Sequence, residues 1–158
     1  MKALSYCPWA KSLLATGGGS KDRCIRFWHT NSGTLLREHK TTAQITSLVW
    51  SVYSKQIAAT FGFGTGGKSV MIYVYEYPKM TRLLEVPATS SDLRILSSTI
   101  SPDNCSLCVA TNDSTIRIYR LWNVSHRLIE ADSNGEGDYG SQLIQLNEGI
   151  SERLDGIR

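Results

Sequence analysis

The chain has 158 residues, 41% of them hydrophobic and 20% charged, with a formal net charge of +3. No run of 18 or more apolar residues occurs, and Pro8 and Lys11 interrupt the start, so neither a membrane-spanning helix nor a signal peptide is expected. The sequence reads as soluble and intracellular, and the Asn-x-Ser triplets at Asn104, Asn112 and Asn123 carry no weight as glycosylation sites in that setting.

Alternation and β-branched or aromatic enrichment between turn residues predict strands from one end of residues 1–122 to the other. The first four are Lys2 to Tyr6, Leu13 to Thr16, Cys24 to His29 and Thr34 to Glu38, with Asn31-Ser32-Gly33 as a hairpin turn. The next four are Ile45 to Trp50, Gln56 to Phe61, Val70 to Tyr75 and Arg82 to Val86. Then come Arg94 to Ile100, Leu107 to Thr111 and Thr115 to Leu121, with Val124 to Ala131 as a candidate fourth strand of that group. Ser133 to Gly140 is rich in Gly and acid and reads as a linker. A short amphipathic helix presenting Leu143, Leu146 and Ile150 fits the stretch after it.

The strands repeat. Asp22-Arg23-Cys24-Ile25-Arg26-Phe27-Trp28 and Asp113-Ser114-Thr115-Ile116-Arg117-Ile118-Tyr119 lie 91 residues apart, with a divergent copy from Val70 to Tyr75 between them. Two periods of about 45 residues match one propeller blade each. The fold class is therefore all-β, with about three four-stranded blades. Blades bury their faces against one another, so three of them leave open faces at both ends, and the chain is expected to be part of a larger propeller.

Charge divides the chain at the same place. Residues 1–122 hold 14 Lys and Arg against 7 Asp and Glu, whereas residues 123–158 hold 3 against 7. Two regions follow, three blades in 1–122 and an acidic, flexible tail in 123–158. The cations of the first region are scattered along alternate strand positions, which describes a solvated sheet face rather than a nucleic-acid site.

Chemistry-bearing motifs are few. Cys105-x-x-Cys108 is half a zinc knuckle with no second pair, so all four cysteines, Cys7 and Cys24 included, are read as free strand or loop residues and no metal is implied. Gly62-Phe63-Gly64-Thr65-Gly66-Gly67-Lys68-Ser69 fits the phosphate-loop pattern, but such a loop must open into a helix whose N-terminal amides hold the phosphates. Val70-Met71-Ile72-Tyr73-Val74-Tyr75 is a strand, so the glycines read as a hairpin loop and P-loop nucleotide binding remains only a remote alternative. His29, His39 and His126 are read as surface histidines, and no catalytic constellation accompanies them. The chain is not expected to be an enzyme, and no cofactor is implied.

Several runs carry a family resemblance. Lys2-Ala3-Leu4-Ser5-Tyr6-Cys7-Pro8-Trp9, then Leu14-Ala15-Thr16-Gly17-Gly18-Gly19-Ser20, then Asp22 to Trp28 resemble the fifth blade of the Fizzy and Fizzy-related family. These are WD-repeat coactivators of the anaphase-promoting complex, a ubiquitin ligase. The likeness continues through Gln44, Leu48-Val49-Trp50-Ser51, Gly62-Phe63, Tyr77-Pro78-Lys79-Met80 and Arg94 to Pro102, and the last two residues, Ile157-Arg158, match the family's terminal tail. Ala110-Thr111-Asn112-Asp113, Tyr119 and Asp138-Tyr139-Gly140-Ser141 are most similar to the family's meiosis-specific fungal member.

The resemblance implies a seven-bladed propeller of which this chain holds three blades, and substrate recruitment rather than chemistry, in the nucleus and cytoplasm. Gln44 and Arg94 fall where the family's pocket for the KEN degron carries a Gln and an Arg, and Ser20 replaces a Thr there. A guanidinium and a carboxamide suit a degron that offers an acid and an amide. At the D-box site the family places an acidic residue after the Asp of the last turn. Here Asp113 is present but Ser114 follows it, which weakens a charge-assisted bond contributing about 1.5–3 kcal/mol. The implied partners are degron-bearing substrates on the blades and tetratricopeptide-repeat subunits of the ligase, which would receive Ile157 and Arg158: an aliphatic side chain, a guanidinium and a free carboxylate in one dipeptide. The competing reading is a generic WD-repeat scaffold.

Overall fold

The computed structural model describes residues 1–64 and 69–123. Among the described residues, eleven strands and no helix form three antiparallel sheets. The first holds β1 (Ala3–Tyr6), β2 (Leu13–Gly17), β3 (Cys24–His29) and β4 (Thr34–Lys40) in that order. The second holds β5 (Ala43–Trp50), β6 (Gln56–Gly64), β7 (Val70–Glu76) and β8 (Thr81–Pro87), and the third β9 (Ile95–Ile100), β10 (Ser106–Thr111) and β11 (Ile116–Arg120). Neighbouring sheets meet through their first strands, β1 against β5 and β5 against β9. Three meandering sheets stacked this way are the blades of a partial WD-repeat propeller, as the repeat implies.

Period-2 burial explains the stacking. In β2 the buried positions are Leu13, Ala15 and Gly17, and in β10 they are Leu107, Val109 and Thr111. The middle sheet is covered on both sides, so β7 is buried continuously from Val70 to Tyr75, and its apolar run has no polar face to alternate with. One cluster joins Ala15, Ile25 and Phe27 of the first sheet to Ile45, Trp50 and Phe61 of the second. The other joins Met71, Ile72 and Val74 to Ile95, Leu107 and Val109. Each large apolar side chain so buried contributes about 1.5–3 kcal/mol. The first seam is also bolted by indoles: Trp9 donates from Nε1 to the Ser51 carbonyl at 3.2 Å and Trp50 to the Ser5 carbonyl at 3.1 Å, with the two rings edge-on at 5.4 Å.

Strand ends depart from expectation where pairing decides them. β4 runs on to Lys40 and β6 to Gly64, because Lys40 pairs with Cys24 and Gly64 with Ala43 across the ladder. β11 is shorter than Thr115 to Leu121. The Thr115 carbonyl is drawn into the turn by the Thr111 N–H at 3.0 Å, while the N–H groups of Leu121 and Trp122 turn to the Cys105 carbonyl at 2.9 and 3.0 Å. The Asn31-Ser32-Gly33 turn forms with Gly33 at a φ of +69°, a conformation glycine adopts at no steric cost.

The strand expected after the glycine-rich stretch is β7, paired antiparallel with β6 from Gln56↔Glu76 to Thr60↔Ile72. A helix N-terminus does not follow Ser69, which removes the structural context a phosphate loop requires. The candidate strand Val124 to Ala131, the helix bearing Leu143, Leu146 and Ile150, and His126 lie outside the described residues. Two histidines depart from their surface assignment: His29 and His39 are both half-buried, and the His39 ring lies edge-on to Tyr75 at 4.9 Å.

Candidate functional site

Strand geometry places three residues at equivalent points of the three blades. Lys2, Gln44 and Arg94 each stand one residue before a buried position of an innermost strand, Ala3, Ile45 and Ile95 respectively. The three buried neighbours pair with Gly17, Phe61 and Thr111 of the second strands. Because side chains alternate along a strand, burying the second residue of each pair turns the first away from that packed face.

Lys2, Gln44 and Arg94 line one cavity of about 390 Å³, together with Thr46, Gly62, Ile95 and Leu96. Among these described residues two are cations and none is acidic, so the cavity presents positive charge and a carboxamide over an apolar floor. Gly62 makes room for it: a Cβ there would stand 3.1 Å from Thr46 Cγ2 and 3.8 Å from the Gln44 carboxamide. Thr46 is tied to the second seam, its hydroxyl 2.8 Å from that of buried Thr60, which Ser47 links at 2.7 Å. Ser47 in turn reaches Ser98 of the third sheet at 2.5 Å.

Arg94 is held from behind by a residue the sequence reading passed over. The Arg94 N–H donates to Asn112 Oδ1 at 2.8 Å, Asn112 Nδ2 donates to the Asp92 carbonyl at 3.0 Å, and the Asn112 N–H donates to the Arg94 carbonyl at 3.2 Å. Arg94 therefore precedes β9 rather than opening it, since its N–H is spent on a side chain and not on the ladder.

The other expected site residues stand elsewhere. Ser20 is exposed in the turn between β2 and β3 and is not among the residues lining the cavity. Asp113 sits in the turn between β10 and β11, where its carboxylate takes Arg117 Nη2 at 2.6 Å and the hydroxyls of Thr111 and Thr115 at 2.6 and 2.7 Å. The Arg117 guanidinium first, then those hydroxyls, hold its carboxyl far below the usual carboxylate range. Asp22 repeats the arrangement one blade-pair earlier, with Arg26 bidentate at 2.7 and 2.8 Å and the carboxyl likewise lowered. The shared Asp-x-x-x-Arg spacing is thus a turn-locking pair in both blades. Ile157 and Arg158 lie outside the described residues. Lys2, Thr46 and Asn112 were missed; the first was legible as the repeat-equivalent of Gln44 and Arg94.

No protein-family model matches the chain. It is 56% identical over 150 residues, 95% of its length, to the meiosis-specific APC/C activator protein AMA1 of Saccharomyces cerevisiae. It is 37% identical over 126 residues, 80% of its length, to the WD repeat-containing protein slp1 of Schizosaccharomyces pombe. In both cases the chain spans about a quarter of the relative, 25% of its length. A chain in the crystal structure of the mitotic checkpoint complex superposes with a TM-score of 0.68 at 34% identity, covering 77% of this chain and 36% of that one. Repeat, blade stacking and these likenesses agree, and the chain belongs to the Fizzy and Fizzy-related family of WD-repeat proteins.

Proposed function

We propose that this chain is a substrate-recruiting portion of an activator of the anaphase-promoting complex ubiquitin ligase, working in the meiotic cell cycle. One observation carries the reading: Gln44 and Arg94, from different blades, line a single cavity with Lys2 and with no acidic residue among its described lining. A short extended peptide offering a glutamate and an asparagine, as the KEN degron does, finds there a guanidinium for its carboxylate and a carboxamide for its amide. The chain itself contributes binding and no bond-making step, and no cofactor is assigned to it.

Ser20, exposed in the first blade's β2–β3 turn, is assigned to the outer edge of the degron surface. Asp113 is assigned to the D-box side. With Arg117, Thr111 and Thr115 already on its carboxylate and Ser114 as its neighbour, little acceptor capacity remains, so the D box is the weaker of the two degrons for this surface. Residues 123–158 are assigned as an acidic tail, with Ile157 and Arg158 docking on tetratricopeptide-repeat subunits of the ligase. Nucleus and cytoplasm are the compartments this role implies.

The test is a titration of the chain with a peptide containing Lys-Glu-Asn. Arg94→Ala is expected to weaken binding by about tenfold or more, the loss of one charge-assisted hydrogen bond. A generic scaffold predicts no change, and equal affinities would refute degron recruitment through this cavity. For the tail, recovery of the ligase's repeat subunits by the full chain but not by one lacking Arg158 is expected.

A further inference from the structure

We infer that Asn112 is a positioning residue for the degron cavity, fixing the backbone from which the Arg94 guanidinium is presented; this rests on the degron reading above. Asn112 belongs to the third blade's β10–β11 turn, and Arg94 to the segment that enters the innermost strand of the same blade. Three hydrogen bonds join Asn112 to this segment, two of them to Arg94 itself: Arg94 N–H to Asn112 Oδ1 at 2.8 Å, Asn112 Nδ2 to the Asp92 carbonyl at 3.0 Å, and Asn112 N–H to the Arg94 carbonyl at 3.2 Å. An asparagine has one acceptor and one donor group on its side chain, and both are used on the 92–94 backbone.

The clamp needs a rigid base, and the turn supplies it. Ser114 sits at a φ of 62° and its N–H donates to the Thr111 carbonyl at 3.2 Å. Asp113 is locked by Arg117, which also donates to the hydroxyls of Thr111 and Thr115. The Asp113–Arg117 pair, whose counterpart in the first blade is Asp22–Arg26, therefore serves the cavity indirectly here by holding Asn112 in place. Arg94 has a long, rotamer-rich side chain whose ordering opposes binding, and a fixed backbone beneath it leaves fewer freedoms to lose when a carboxylate arrives.

The experiment titrates the full chain, unmutated and as Asn112→Ala and Arg94→Ala, with the Lys-Glu-Asn peptide and with its Lys-Gln-Asn counterpart. Asn112→Ala is expected to lower affinity for the acidic peptide by about three- to tenfold while leaving affinity for the glutamine peptide nearly unchanged. Binding by both peptides falling equally, or unchanged, in Asn112→Ala while Arg94→Ala remains selective overturns the inference and leaves the degron reading standing. Loss of all Arg94 dependence instead removes the degron reading. Amide hydrogen exchange decides the clamp independently. The Arg94 amide is expected to be protected in the unmutated chain and to exchange faster in Asn112→Ala, or in Asn112→Ser should the alanine chain not fold. A fast-exchanging Arg94 amide in the unmutated chain overturns the inference whatever the peptides do.

Discussion

Gln44 and Arg94 are separated by 50 residues and two different sheets, yet they stand at the same rung of their blades and line the same cavity. The repeat puts them there: each immediately precedes a buried residue of an innermost strand, so the packing that seals one seam turns both toward the opening. Lys2 occupies the equivalent rung of the first blade, and the three together make an electropositive site without any acidic neighbour in its described lining.

Lys2 should therefore set the charge preference of the site. Its side chain is exposed, so the effect is screened, and Lys2→Glu is expected to weaken a Lys-Glu-Asn peptide most at low salt. Titration at two ionic strengths checks this; an affinity insensitive to the substitution at low salt would take Lys2 out of the site.

Gly17 lies at a close approach of the first two blades. A Cβ there would lie 2.5 Å from Ile45 Cγ2 and 3.0 Å from Ala3 Cβ, inside contact distance of a fully buried side chain. Gly17→Ala is expected to destabilise by about 1–3 kcal/mol, because the seam must spread to admit it. Gly19→Ala meets nothing within 4 Å and should stay within about 0.5 kcal/mol. Urea unfolding of the two variants side by side makes the comparison.

His39 gives the fold a mild acid sensitivity. Burial first, then the positive charges of Arg37 and Arg82, push its imidazole below the ordinary value. The unfolded chain then takes up this proton at higher pH than the folded one. Stability from the neutral ring is complete above about pH 6.5 and declines as pH falls through the folded value. Melting measured at pH 7 and pH 5.5 should separate more for the unmutated chain than for His39→Phe; identical separations would contradict the assignment.

The third blade offers an apolar face to solvent. Ile116 and Ile118 are 74% and 71% exposed on β11 and pair with Ala110 and Cys108, which puts both on one face of the sheet. In the first blade Leu4 and Tyr6 are 53% and 61% exposed. The chain should bind a hydrophobic dye, and Ile116→Lys with Ile118→Lys should reduce that signal without lowering the melting temperature, since neither side chain is packed. Unchanged fluorescence would move the dye site elsewhere.

By itself, the sequence determined the blades. Period-2 alternation, the Asn31-Ser32-Gly33 turn and the paired Asp22–Arg26 and Asp113–Arg117 spacings are local signals, and local signals survive without knowledge of what packs where. The β-branched run after Gly67 was enough to turn a phosphate-loop pattern into a hairpin. Tertiary structure alone decided what the blades do to one another. Strand ends at Lys40 and Gly64 depend on partners across a ladder, and His39 is half-buried because Tyr75 of another sheet lies against it. Asn112 holds Arg94 because a turn of one strand pair meets the entry to another, 18 residues away. Hydrogen bonds and seams of that kind join residues by position in space, and no periodicity within a single strand encodes them.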